Sequence, residues 1–194
     1  TPIRIDGEAI TIVLGASNRA ALALHYIGAK LPANEDLDAL AAAVQPRRHG
    51  SQPDAPQLAT LWPQAGRGYA GLPALAVRRG EGLLPVDLLV EDVVAGGCTA
   101  HLMLADPVAG VRVAINWVIG AGDVVRARST ITNFGTVPLV IDRVASTALP
   151  LPGWATHATR FHGRWAGEMH EATAPIPHGS SGGESRGGRP GFGG

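Results

Sequence analysis

The sequence predicts an all-β protein, a large antiparallel β-sandwich (supersandwich) with one short helix and a Gly-rich C-terminal tail. Three observations lead there. From Leu75 onward apolar and polar residues alternate with period two, the mark of strands with one buried and one wet face. Turn residues punctuate the alternation at short, regular intervals, without intervening helical patterns. Finally, 45% hydrophobic residues in a 194-residue chain suffice for one substantial core.

The elements follow in order. Ile3 to Ile5, Ala9 to Leu14 and Ala21 to Ile27 read as three short strands. A helix follows, with Asn34 as its cap, Leu37, Leu40, Ala41 and Val44 on one face, and Pro46 as its stop. Residues 47–72 are polar and rich in Pro and Gly, a long loop expected to carry contacts rather than core. Val86 to Val94 and Thr99 to Ala105 are strands. Val111, Val113, Ile115, Trp117 and Ile119 then face one side of a strand whose other side carries Arg112, Ala114 and Asn116. Gly120 to Asp123 is a tight turn into a second alternating strand, with Val125, Ala127, Ser129 and Ile131 inward, so the two form an antiparallel hairpin. Asn133, Phe134 and Gly135 turn the chain into a last long strand, Val137 to Leu149. Residues 1–178 are the sandwich domain and 179–194 a Gly-rich linker; nothing folded follows, so the chain reads as a front domain cut off before its partner.

Formal net charge is zero, which supplies no field toward nucleic acid or an anionic membrane. No apolar run reaches the length of a membrane span and no leader pattern opens the chain, so the expected location is cytoplasmic. The single cysteine, Cys98, excludes an internal disulfide framework and is expected to be a buried, inert thiol. The seven histidines form no i, i+4 pair on a helix, so neither a metal nor another cofactor is expected. The G-x-S-x-G at Gly179 to Gly183 lacks the strand and helix of a nucleophile elbow and is a chance match in the tail. Glu168, flanked by Phe161 and Trp165, is a candidate sugar or partner contact against the plainer reading of a strand-end carboxylate bonded to an arginine; Trp62 and Tyr69 present the same choice between ligand stacking and loop packing.

Five stretches, LHYIGAKLP, GSQPDAPQLATLWPQAGRGYAGLPALAVRR, VRVAINWVIGAGDVVRARSTITNFGTVPLVIDRVASTALPLP, GRWAGE and ESRGGRP, occur in an order and spacing that resembles the N-terminal domain of the glycoside hydrolase family 36 α-galactosidases. The resemblance covers essentially the whole chain. It implies a β-sandwich packed against a (β/α)8 barrel of the same parent chain, which holds an aspartate nucleophile and an aspartate acid/base and releases terminal α-galactosyl groups with retention. Neither aspartate carries over, so no catalytic residue is assigned and the chain alone is expected to be inactive. The resemblance places Gly66 to Leu75 toward the barrel mouth or a neighbouring subunit of a homo-oligomer. Asp54, Trp62, Arg67, Tyr69, Trp165 and Glu168 are thereby substrate-proximal or interface candidates. Two other readings stand beside it: an independent carbohydrate-binding β-sandwich module, for which four Trp, two Tyr and three Phe leave little open platform, and a structural sandwich for protein contacts.

Overall fold

The structure, a computed structural model, describes residues 2–17, 20–45, 60–67, 69, 71–151, 154–164 and 167–176. The chain divides into two compact units, Thr1–Pro150 and Leu151–Gly194.

In the first unit, β1 (Pro2–Asp6), β2 (Ile10–Ser17) and β3 (Ala20–Ala29) form an antiparallel sheet in that order. A four-stranded antiparallel sheet runs β6 (Leu89–Gly96), β7 (Thr99–Asp106), β8 (Val111–Ile119), β9 (Val125–Asn133). A third sheet is ordered β10 (Val140–Val144), β4 (Leu75–Arg79), β5 (Gly82–Leu84). Ile5, Ile12 and Leu14 of the first sheet share one core with Leu102, Leu104, Val113, Ile115 and Trp117 of the second, which makes the architecture the expected β-sandwich. All five inward residues expected on β8 are buried, and Ile115 is 0% exposed. Full burial of such a side chain is worth about 1.5–3 kcal/mol, so this strand is the main hydrophobic ridge of the unit.

The β8–β9 hairpin pairs Val111 with Asn133 through Ile119 with Val125. Its turn closes with Gly120 N–H donating to the Val124 carbonyl at 2.9 Å, and Gly122 takes a φ of 67° that glycine accepts without strain. Asp123, also at positive φ, accepts hydrogen bonds from the Glu8 and Ala9 N–H groups at 2.7 and 2.9 Å, so this turn braces the β1–β2 connection.

Several expectations are corrected. The helix α1 spans Leu37–Ala43 and is capped by Asp36, whose carboxylate accepts from the Asp38 and Ala39 N–H groups, in place of Asn34. Its apolar face is only half-buried; Pro46 lies outside the described residues. The strand expected at Val86 to Val94 begins at Leu89, because the Asp87 and Leu88 N–H groups are bound by side chains of Asp106 and Gln64 instead of a ladder. The last strand is confined to Val140–Val144. It is an edge strand, exposed throughout, with a register shift between Ile141 and Arg143. Cys98 is exposed, not buried, because it lies in the β6–β7 turn next to Gly97 rather than on a strand face turned to the core.

Among the described residues of the second unit there is one hairpin, β11 (His157–Arg164) against β12 (Gly167–Pro175), with a register shift between His162 and Arg164. The side chains described on both its faces are almost all exposed. The tail from residue 177 lies outside the described residues.

Candidate functional site

The end of the long loop departs from the expectation of a surface excursion. Thr60 bridges Ala23 of β3, and Leu61 N–H donates to the Leu22 carbonyl at 2.8 Å, so the chain enters the sandwich core here. Leu61 and Trp62 are both 0% exposed. Gln64 is 6% exposed and makes a reciprocal pair with the backbone of Leu88: its Nε2 donates to the Leu88 carbonyl at 3.1 Å and its Oε1 accepts from the Leu88 N–H at 2.7 Å. On the other side the Leu61 carbonyl accepts from Ala148 N–H at 2.8 Å and from Thr147 Oγ1 at 3.2 Å. The segment from Thr60 to Gln64 is thus held like a core strand, with the Leu61 N–H and carbonyl both paired to backbone.

The stretch between these anchors is presented outward. A 3-10 turn, Ala65–Arg67, brings Gly66 so near Val86 that an added Cβ would lie 3.3 Å from the Val86 carbonyl oxygen. Tyr69 is 38% exposed, and its ring lies over Gly71, where an added Cβ would meet the ring at 2.7 Å. Leu72 is largely exposed. The loop closes where Ala74 N–H donates to the Pro63 carbonyl at 2.8 Å and Arg143 Nε to the Pro73 carbonyl at 3.0 Å. The result is a tethered tongue with a buried root at Leu61 to Gln64 and an accessible aromatic at its tip.

The sequence candidates therefore separate. Trp62 is a core residue, the packing member of its two readings, and Tyr69 stands at the accessible tip. Arg67 has its backbone in the turn, with its side chain outside the described residues; the same holds for the side chain of Glu168, whose backbone lies in β12. Asp54 and Trp165 lie outside the described residues altogether. Gln64, which roots the tongue, was missed: a lone glutamine in a Pro-rich segment carries no periodic signal.

Several carboxylates elsewhere are engaged in structural work. Asp106 accepts from the Val108, Ala109 and Asp87 N–H groups, and Asp142 and Glu91 form paired hydrogen bonds with Arg78 and Arg112. Burial tends to raise the Asp6 carboxyl, but hydrogen bonds from Arg4 and Thr11 and the charges of Arg4 and Lys30 outweigh it and hold the group below its ordinary range. Glu91 and Asp142 are lowered as well, through the hydrogen bonds of their arginines. A catalytic general acid needs a shift in the opposite direction. Burial pushes His25 below the usual imidazole range. Among the described residues no group of three or more His, Cys, Asp or Glu side chains could hold a metal ion, and no helix is long and apolar enough to cross a membrane.

Comparison with known proteins gives one family. The model of the glycosyl hydrolase family 36 N-terminal domain matches residues 20–193. Among solved structures, the GH36 α-galactosidase AgaA from Geobacillus stearothermophilus is similar with a TM-score of 0.79 at 19% identity, over 96% of this chain and 29% of that one. The α-galactosidase from Lactobacillus brevis gives 0.75 at 16% identity over 91% and 27%, and the galactosidase domain of the α-galactosidase-sucrose kinase AgaSK gives 0.73 at 22% over 91% and 28%. The chain spans less than a third of the length of these neighbours. No curated protein matches it in sequence.

Proposed function

Since the chain belongs to the glycosyl hydrolase family 36 N-terminal domains, we propose that it is the non-catalytic sandwich of an α-galactosidase-like retaining glycoside hydrolase, in which a (β/α)8 barrel of the same parent chain cleaves terminal α-galactosides. The observation that carries this reading is the agreement of fold along 96% of this chain with only 29% of a GH36 α-galactosidase. Chemistry supports the division. Retaining cleavage needs two carboxyl groups roughly 5 Å apart, one of them with a raised pKa, whereas the carboxyls of Asp6, Glu91 and Asp142 are all lowered by arginine partners.

In this reading residues 1–178 act as the domain and 179–194 as a linker. The tongue shapes the active-site rim or the interface of a cytoplasmic homo-oligomer. Tyr69, Arg67, Trp62 and Asp54 are the substrate-proximal or interface candidates of the first unit, and Trp165 and Glu168 are those of the second. An independent sugar-binding module is the weaker account, because two of the four tryptophans, Trp62 and Trp117, are buried in the core and unavailable for stacking.

The test is hydrolysis of an aryl α-galactoside by the full parent polypeptide and by residues 1–194 alone. The parent is expected to turn over with retention, followed by NMR of the released sugar, and the 194 residues to be inactive. Turnover by the short chain, abolished by changing an aspartate within it, overturns the proposal.

A further inference from the structure

We propose that His162 and His170 form a cross-strand chelate for a late first-row divalent cation, with Zn2+ as the reference ion. The inference stands on the β11–β12 hairpin alone and is independent of the family reading. The antiparallel register sets His162 directly opposite His170, so both imidazoles emerge on the same face of the ribbon. Their ring centroids are 5.8 Å apart with the planes tilted by 39°, and both side chains are exposed. Two imidazoles bound through nitrogen at about 2.0–2.1 Å to a tetrahedral ion have centroids roughly 5 Å apart. The remaining gap of roughly 1 Å is within reach of small χ rotations.

The neighbours define what kind of site this is. Phe161 and Glu171 pair one step along the ladder and therefore project from the opposite face, so Glu171 does not supply a third ligand. On the histidine face the next pair is Arg160 and Ala172. Imidazole nitrogen selects zinc, copper or nickel over a hard, oxygen-seeking ion. With two protein ligands the open positions are filled by water. The structural consequence is a clamp between two strands that by themselves make a ribbon exposed on both faces, an arrangement that is marginal in water. On the other face, Thr159 and Thr173 hydroxyls already bond across the ladder at 2.8 Å.

The experiment is calorimetric titration of the 194-residue chain with ZnCl2 alone, with NMR of the histidine ring protons. One Zn2+ per chain is expected, with the His162 and His170 signals moving together. Either H162A or H170A should weaken binding at least tenfold, and H157A should leave it within twofold. No saturable binding below millimolar Zn2+, or single variants that bind as the parent chain does, would each refute the chelate.

Discussion

Replacing Gln64 isolates the root of the tongue. In the Gln64→Ala variant the Leu88 N–H and carbonyl lose their partners at a residue that is 3% exposed. Leaving a buried backbone group unsatisfied costs about 1–3 kcal/mol, and two are stranded here, so a loss of about 3 kcal/mol is expected, a large share of a small domain's stability. Gln64→Glu makes the argument sharper. Its carboxyl oxygen still accepts from Leu88 N–H, but only the protonated form donates to the Leu88 carbonyl, and burial disfavours the charged form. The folded pKa of the introduced group is therefore raised above the unfolded value of about 4.3. By linkage its stabilising contribution is complete below that unfolded value and is lost as pH rises through the folded one. The variant should approach the parent near pH 4 and fall about 2–3 kcal/mol below it at pH 7.5. The assay is urea unfolding at both pH values, followed by fluorescence of the buried tryptophans and referred to the parent chain at the same pH. Gln64→Ala within about 0.5 kcal/mol of the parent, or Gln64→Glu tracking it at both pH values, would refute the claim that this amide pair roots the tongue.

Other expectations follow from burial, backbone conformation and charge. Ile115→Ala, at a fully buried position, should cost about 2–5 kcal/mol in denaturant unfolding, whereas Ile141→Ala on the exposed edge strand should stay within about 0.5 kcal/mol. Gly122→Ala has only its φ of 67° to resist it and should cost about 1 kcal/mol; Gly110→Ala adds a 2.9 Å approach to the Gly135 Cα and should lower the melting temperature clearly further. Asp6→Asn should flatten the acid limb of the stability curve. The native Asp6 carboxyl is lowered, so its contribution is present above the unfolded pKa and lost as pH falls through the folded value, a window below about pH 4 that urea titrations at stepped pH would reveal. The exposed Val140, Ile141 and Val144 of the edge strand should make the 194-residue chain self-associate, and a monodisperse monomer in light scattering would contradict this.

Alternation was readable wherever one face of a strand is buried and the other wet: Val111 to Ile119 and Val125 to Ile131 appear in the structure as they read in the sequence. Reading failed where a side chain replaces the ladder. The Asp106 and Gln64 side chains take the N–H groups of Asp87 and Leu88 and so delay β6 to Leu89. Pro138 lacks an N–H, and Asn133 Nδ2 donates to the Val137 carbonyl, so the last strand cannot begin at Val137. At the helix start, Asn34 and Asp36 are both acceptable caps, and the choice rested on which side chain reached the free N–H groups. The candidate site was half legible: Tyr69 and the glycines around it carried a signal, while the burial of Leu61 and Trp62 had none, since their surroundings are polar and rich in proline.

What the sequence determined alone was local and periodic: the β class, the faces of the long strands, and the turns where glycine and asparagine relieve the backbone. Family membership was equally a property of order and spacing along the chain. Only the tertiary structure decided which polar segment would enter the core and which histidines would meet. Those outcomes depend on partners far apart in sequence, Gln64 with Leu88 and Leu61 with Ala148, or on a hairpin register that puts His162 opposite His170, and neither kind of proximity is encoded in composition or period.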